Sequence, residues 1–204
     1  MSRGLNNPAL LGLAGFTGLL LASAPTTARA DDDIFAGVSY HNAIGVDETY
    51  DFTPGYSFRG LGFDVRYIPE GSFSAGLAVA WHVLADDSRD QVRVENVDIS
   101  GRQRRSFNAV PILAMGHYYT EGPVRLMLGF GLGASWIERR VEVGLFDVDE
   151  DYMHFTVAPE VGLIVRPWEN TWVLLSSRYH YAAETGGAPA HQWFSFGLGL
   201  GGRM

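Results

Sequence analysis

The residues of this sequence that could do chemistry are the few charged and imidazole side chains set among apolar runs. Asp64, His82, Arg125, Glu160, Arg166 and Arg178 each stand among Gly, Ala, Val, Leu and aromatic residues. In a dry setting such groups must pair, because an isolated buried charge is prohibitively costly. In a wet one they could line an ion path or supply a catalytic carboxylate. His180, in Ser176-Ser177-Arg178-Tyr179-His180-Tyr181, has the chemistry of a general base. Ser176 would share its strand face but point parallel to it, and a base with no apposed hydroxyl activates no nucleophile. Asp147-Val148-Asp149-Glu150-Asp151 has cation-binding residue types without the ligand spacing and glycine of an EF-hand loop. A solvated acidic loop is the simpler reading. Arg102, Arg104 and Arg105 lie beside Asp86, Asp87 and Asp90. Guanidinium groups suit bidentate phosphate contacts, so this cluster is a candidate for lipopolysaccharide phosphate, against the alternative of a charged hairpin in water.

Composition narrows the chemistry further. The sequence has no Cys, which excludes a disulfide scaffold, a thiolate metal site and a Cys nucleophile. All 15 basic residues are Arg, and the formal charge of −8 argues against a nucleic-acid partner, which would require a basic stripe. Neither a metal nor a cofactor is expected, and Gly129-x-Gly131-x-Gly133 is no dinucleotide fingerprint because no helix follows it.

The N-terminus predicts export. Arg3 forms a short positive region, Ala9 to Ala22 is apolar, and Ala28-Arg29-Ala30 fits a small-x-small cleavage site. The apolar stretch is short for a membrane-spanning helix, which needs about 20 residues. Residues 1–30 are therefore expected to be a signal peptide cleaved after Ala30, leaving residues 31–204 as one domain. Removing Arg3 and Arg29 leaves a mature net charge of −10.

The rest of the chain must position the polar residues on strands. Apolar residues alternate with small or polar ones over 34–42, 56–67, 73–84, 107–119, 124–137, 153–166, 172–181 and 192–202. The alternation is least regular in the second and fourth of these segments, where Tyr56, Phe58 and Phe107 blur it. Runs of this length exceed the 5–6 residues usual for soluble strands and suit the roughly 9–11 needed to cross a bilayer at a tilt. Turn chemistry marks Pro69-Glu70-Gly71, Thr120-Glu121-Gly122-Pro123 and Pro167-Trp168-Glu169-Asn170. These short turns alternate with longer polar connections near 43–55, 85–106, 138–152 and 182–191, the rhythm of an outer-membrane barrel.

The non-apolar face is mostly Gly, Ala and Ser, a poor surface for water but a good filling for a narrow lumen. The opposite face, with Leu126, Leu128, Phe130 and Leu132, suits lipid. Aromatic residues gather at both ends, with Tyr67, Phe73, Tyr118 and Trp172 near the turns and Tyr40, Trp81, Trp136, Tyr179 and Trp193 nearer the loops. The expected fold is all-β, an eight-stranded antiparallel up-and-down transmembrane barrel. Pro111 and Pro159 fall inside strands, where a missing N–H removes a ladder bond, and bulges are expected there.

Signal peptide, strand count, loop rhythm and the final Phe194-x-Phe196-x-Leu198-x-Leu200 alternation make the chain resemble the small outer-membrane β-barrels, the OmpX-, OmpA- and OmpW-like group of Gram-negative cell envelopes. The resemblance spans the whole mature chain. It implies outer-membrane localisation, contact with outer-membrane lipid and lipopolysaccharide, insertion by the assembly machinery, and a monomer. It implies a non-enzymatic role in membrane integrity or surface interaction through the long loops. The alternative is a porin-like narrow conduit for small or hydrophobic solutes. Lipid A deacylases and acyltransferases among such barrels carry a His-x-Ser-Asn arrangement, which the residues after His180 lack.

Strand phase and the third turn then place the charges. Setting Val165 opposite Val173 aligns Glu160 with Arg178, both inward, and by phase Asp64, His82, Arg125 and Arg166 share the lumen. This network is expected to plug the barrel, since eight strands leave little free bore.

Overall fold

A computed structural model of the chain describes residues 33–68, 72–88, 91–94, 97–100, 103–143, 146–168 and 170–203. The expected signal peptide and Arg102 lie outside the described residues. Period-two alternation of large apolar and small or polar residues produces long strands. Eight of them form the wall: β1 (Asp33–Val46), β3 (Arg59–Ile68), β4 (Phe73–Ser88), β7 (Gln103–Tyr119), β8 (Val124–Val143), β9 (Phe146–Trp168), β10 (Thr171–Ala182) and β11 (His191–Arg203). Each pairs antiparallel with its sequence neighbour in the wall, and β11 pairs with β1 from Phe35↔Arg203 to Val46↔Gln192 to close the barrel. Closure leaves the wall without an open edge, which a hydrocarbon environment requires.

The outward face is apolar. Leu61, Phe63, Leu77, Trp81, Leu126, Leu128, Phe130, Leu132, Leu163, Leu175, Leu198 and Leu200 are exposed. The inward face fills the lumen. At the turn end Phe35, Ile68, Tyr119, Met127, Ile164, Trp172 and Leu174 pack together. In the middle Ala78, Leu113, Met115 and Ala158 do the same. Near the loops Ala43, Leu84, Phe107, Ala109, Ile137, Ala182 and Trp193 form a third cluster. Inward glycines let side chains cross the narrow bore. A Cβ on Gly62 would lie 2.5 Å from the His41 ring, and one on Gly129 would lie 2.5 Å from the His117 ring.

The secondary structure departs from the sequence expectations in four segments. The segment 56–67 is two strands, with β2 (Tyr56–Ser57) paired to β1 and separated from β3 by Phe58. Residues 43–55 include a short helix, α1 (Glu48–Phe52), whose Thr49 is buried and whose Phe52 packs on the loop-end cluster. Polar connections 85–106 and 138–152 are largely strand. β8 and β9 stay paired as far as Val143↔Phe146, and β5 (Gln91–Val94) and β6 (Val97–Ser100) form a separate hairpin. Opposite charges at facing positions, such as Asp87 with Arg104 and Arg139 with Glu150, extend the ladders past the apolar band.

The prolines create no bulge. Pro111 pairs with Ser135 and Pro159 with Phe130 in unbroken register. On their other sides the ladders skip, between Val79↔Ile112 and His82↔Ala109 and between Arg178↔Glu160 and Tyr181↔Val157, and resume in the same register. The missing N–H therefore removes local pairing without inserting a residue, because neighbouring ladder bonds hold the strands in step. The one shift between β9 and β10 is at Thr171/Val173, next to the turn.

Candidate functional site

The lumen holds the polar residues, and strand register brings them together. Tight connection between β9 and β10 sets Glu160 directly opposite Arg178. Arg178 Nη2 donates to Glu160 Oε2 at 3.0 Å, with both side chains buried. The same oxygen lies 3.1 Å from His117 Nε2, and His117 Nδ1 lies 3.3 Å from Ser74 Oγ. Asp64 is also inward, but its partner is Arg66, whose Nε donates to Asp64 Oδ1 at 2.7 Å. Arg66 Nη1 also reaches the Tyr119 hydroxyl at 3.3 Å. Residues i and i+2 on a strand share a face, so Asp64 and Arg66 are neighbours by construction.

Two expected members fall outside this network. Arg166 is exposed at the turn end, where its guanidinium stacks 5.2 Å from the Trp172 ring. Arg125, next to the opening residue of β8, is only half-buried. Strand phase gives the side of the wall correctly but not the height along the barrel, and the last inward position before a turn sits at the rim.

His82 is fully buried, in a group the sequence reading did not assemble. All six histidines of the chain are inside the barrel: His41, His82, His117, His154, His180 and His191. Trp193 Nε1 donates to His82 Nδ1 at 3.0 Å, His82 Nε2 lies 3.3 Å from His41 Nδ1, and His41 Nε2 lies 2.6 Å from Ser39 Oγ. His180 stacks on Trp193 with centroids 4.6 Å apart and rings 4° from parallel. Its Nε2 meets Ser195 Oγ at 3.0 Å, so the hydroxyl missing from its own strand comes from the neighbouring β11. Nearer the mouth His154 and His191 pack edge to face, and Thr49 of α1 lies 3.4 Å from His191 Nδ1. The signal available in sequence was phase, clearest for His41, His82, His154 and His191, which share their strand faces with small residues, and weaker for His117, whose face includes Leu113, Met115 and Tyr119.

Several of these contacts have the form of catalytic relays, most closely Ser74–His117–Glu160. A nucleophile needs an adjacent space for the carbon it attacks, and an oxyanion site beside that space. Ser74 is buried and its hydroxyl also contacts the Tyr119 hydroxyl at 2.8 Å. The cavity lined by Ser39, His41, Asp64, Glu160, Ser176 and Arg178 has a volume of about 10 Å³, room for one water.

Outside the apolar band one group of charges sits on the β8–β9 hairpin and another on facing positions of β4 and β7. Arg140 makes a bidentate contact with Asp149, Nε to Oδ1 at 2.5 Å and Nη2 to Oδ2 at 3.0 Å, and lies 3.5 Å from Glu138. Among the described residues no group of three or more His, Asp or Glu side chains converges to hold a metal ion. Arg104 is exposed opposite Asp87, and Arg105 is half-buried opposite Asp86.

An antiparallel wall closed on itself, apolar outside and packed with small and paired polar residues inside, defines an eight-stranded barrel of the outer-membrane type. Solved structures of that class have the same fold. Neisserial surface protein A matches with a TM-score of 0.55 over 87% of this chain and 100% of its own, at 12% identity. A major outer membrane protein from Thermus thermophilus matches with a TM-score of 0.50 over 83% of this chain and 99% of its own, at 11% identity. No protein-family model and no curated protein matches the sequence.

Proposed function

We propose that the chain is a closed structural barrel of the outer membrane, without enzymatic activity, that presents a charged hairpin at the outer surface. The observation that carries this reading is the filled lumen. Apolar clusters pack at the turn end, in the middle and at the loop end, buried ion pairs lie among them, and α1 packs on the loop-end cluster. No cofactor enters the reading. On the outward face of the hairpin Glu138, Arg140, Asp149 and Asp151 stand just past Trp136 and Met153, at the height where lipid headgroups would lie. Arg104 and Arg105 on β7 are the candidate contacts for lipopolysaccharide phosphate, and their facing aspartates would have to yield to it.

The test is solute retention in vesicles at neutral pH. Protein reconstituted in lipid should leave an entrapped small sugar or amino acid inside, as empty vesicles do. Release that scales with protein would instead establish the narrow conduit. A paired measurement addresses the surface role: adding lipopolysaccharide to the bilayer should raise the unfolding temperature, and Arg104→Ala with Arg105→Ala should remove that gain.

A further inference from the structure

We infer that the chain Trp193–His82–His41–Ser39 is an acid-sensitive latch, and that protonating it opens the lumen to water and ions. This rests on the closed-barrel reading and adds a condition under which the barrel ceases to be closed.

The direction of the hydrogen bonds carries the argument. An indole N–H can only donate, so His82 Nδ1, 3.0 Å from Trp193 Nε1, must be an unprotonated acceptor. His82 then has its single proton on Nε2, directed at His41 Nδ1 3.3 Å away. His41 in turn has its proton on Nε2, directed at Ser39 Oγ at 2.6 Å. One Trp thus fixes the tautomers of two successive rings, and both must be neutral. An added proton on His82 would set N–H against the Trp193 N–H. An added proton on His41 would set N–H against the His82 N–H. Either event sets two donors against each other and breaks the chain at that link.

The carboxylates that face the pair are already matched by guanidinium groups. From β3 the facing carboxylate is Asp64, already paired with Arg66 of the same strand. From β9 it is Glu160, already paired with Arg178 of β10 and bonded to His117 of β7. Two carboxylates and two guanidinium groups balance here, so any imidazolium makes the dry lumen net positive. β4 contributes His82 itself, and β11 presents Trp193 and Ser195, which carry no charge. His180 of β10 lies flat on Trp193, where an imidazolium would meet the negative ring face, so it is not the ring the geometry holds neutral. A charged His41–His82 pair requires water as acceptor and diluent, and the adjoining cavity of about 10 Å³ has room for one molecule. More water enters only if side chains leave the bore.

Planar-bilayer recording of the full mature chain tests this, stepping from about pH 7.5 to about pH 4.5, a range that brackets histidine titration. The wild type should be silent at the neutral end. On acidification it should open with a frequency rising roughly tenfold per pH unit for each proton taken up. His41→Gln with His82→Gln keeps neutral hydrogen-bonding groups and should stay silent throughout, with a heat-modifiable gel band confirming that it is folded. Trp193→Phe removes the donor that opposes the proton and should move the onset toward neutral pH. Wild-type silence over the whole range overturns the latch and leaves the closed barrel standing. An acid response unchanged in the double variant, or an onset unmoved in Trp193→Phe, also overturns it. A steady current at neutral pH refutes the closed barrel and the latch together.

Discussion

Removing Glu160 should destabilise the barrel more than removing Arg178, because the two partners are left in different company. In the native lumen the side chains are 1% and 6% exposed, and Glu160 Oε2 receives both Arg178 Nη2 and His117 Nε2. Arg178→Met leaves a buried carboxylate that keeps its His117 contact, and the imidazole can take up a proton to neutralise it. Glu160→Gln leaves a buried guanidinium with no second carboxylate across the ladder. Breaking a buried pair typically costs about 3–5 kcal/mol, so Glu160→Gln belongs near the top of that range and Arg178→Met near or below its bottom. The double variant removes both charges and should lose less than Glu160→Gln alone, so the two single losses should be far from additive. Denaturant unfolding in lipid vesicles, followed by tryptophan fluorescence and by gel mobility, measures all three. Small additive losses, each under about 1 kcal/mol, would mean that water screens the pair, and the dry-lumen argument would fail.

Asp64→Asn should lower stability by about 3 kcal/mol in the same assay, since Arg66 is 2% exposed and has no other carboxylate partner in contact among the described residues. Gly133→Ala places a Cβ 2.0 Å from the Ile112 carbonyl oxygen and should cost about 1–3 kcal/mol, whereas Gly116→Ala meets nothing within 4 Å and should be neutral. Leu128→Arg, on the outward face between Leu126 and Phe130, should cost about 2–4 kcal/mol in lipid, and no loss would place that face in water. Mature protein should fractionate with outer membranes and change gel mobility on heating, and recovery in a soluble periplasmic extract would contradict the lipid-facing assignment.

The barrel was legible because two signals survive in a single sequence. Alternation distinguishes the two faces of a strand without knowledge of its partners, which is why Leu126 to Leu132 and the small-residue face sorted correctly. A tight turn fixes the register of the two strands it joins, which is why Glu160 and Arg178 could be paired. What did not emerge depends on geometry around the barrel. The relay from Trp193 on β11 through His82 on β4 to His41 on β1 crosses the bore between strands that are not all adjacent, and no local spacing encodes it. Arg66 was readable in principle, two residues from Asp64 on one face, but Arg125 and Arg166 sit at the turn end because phase carries no height. The continuation of β8 and β9 past Trp136 was obscured because its alternation is of charges with Val rather than of apolar with small residues, so it resembled a solvated loop.

Oxidative footprinting in lipid at neutral pH tests the dry lumen most directly. Hydroxyl radicals modify Met and Trp side chains that touch water, and Met115, Met127 and Trp193 all point into the bore and are 4%, 0% and 0% exposed. The account predicts that these three remain unmodified while Tyr50 on α1 and Tyr152 at the loop end, both exposed, are labelled. Labelling of Met127 and Trp193 at the rate of the outer tyrosines, in a barrel still folded by its gel mobility, would establish a water-filled channel and contradict the closed barrel.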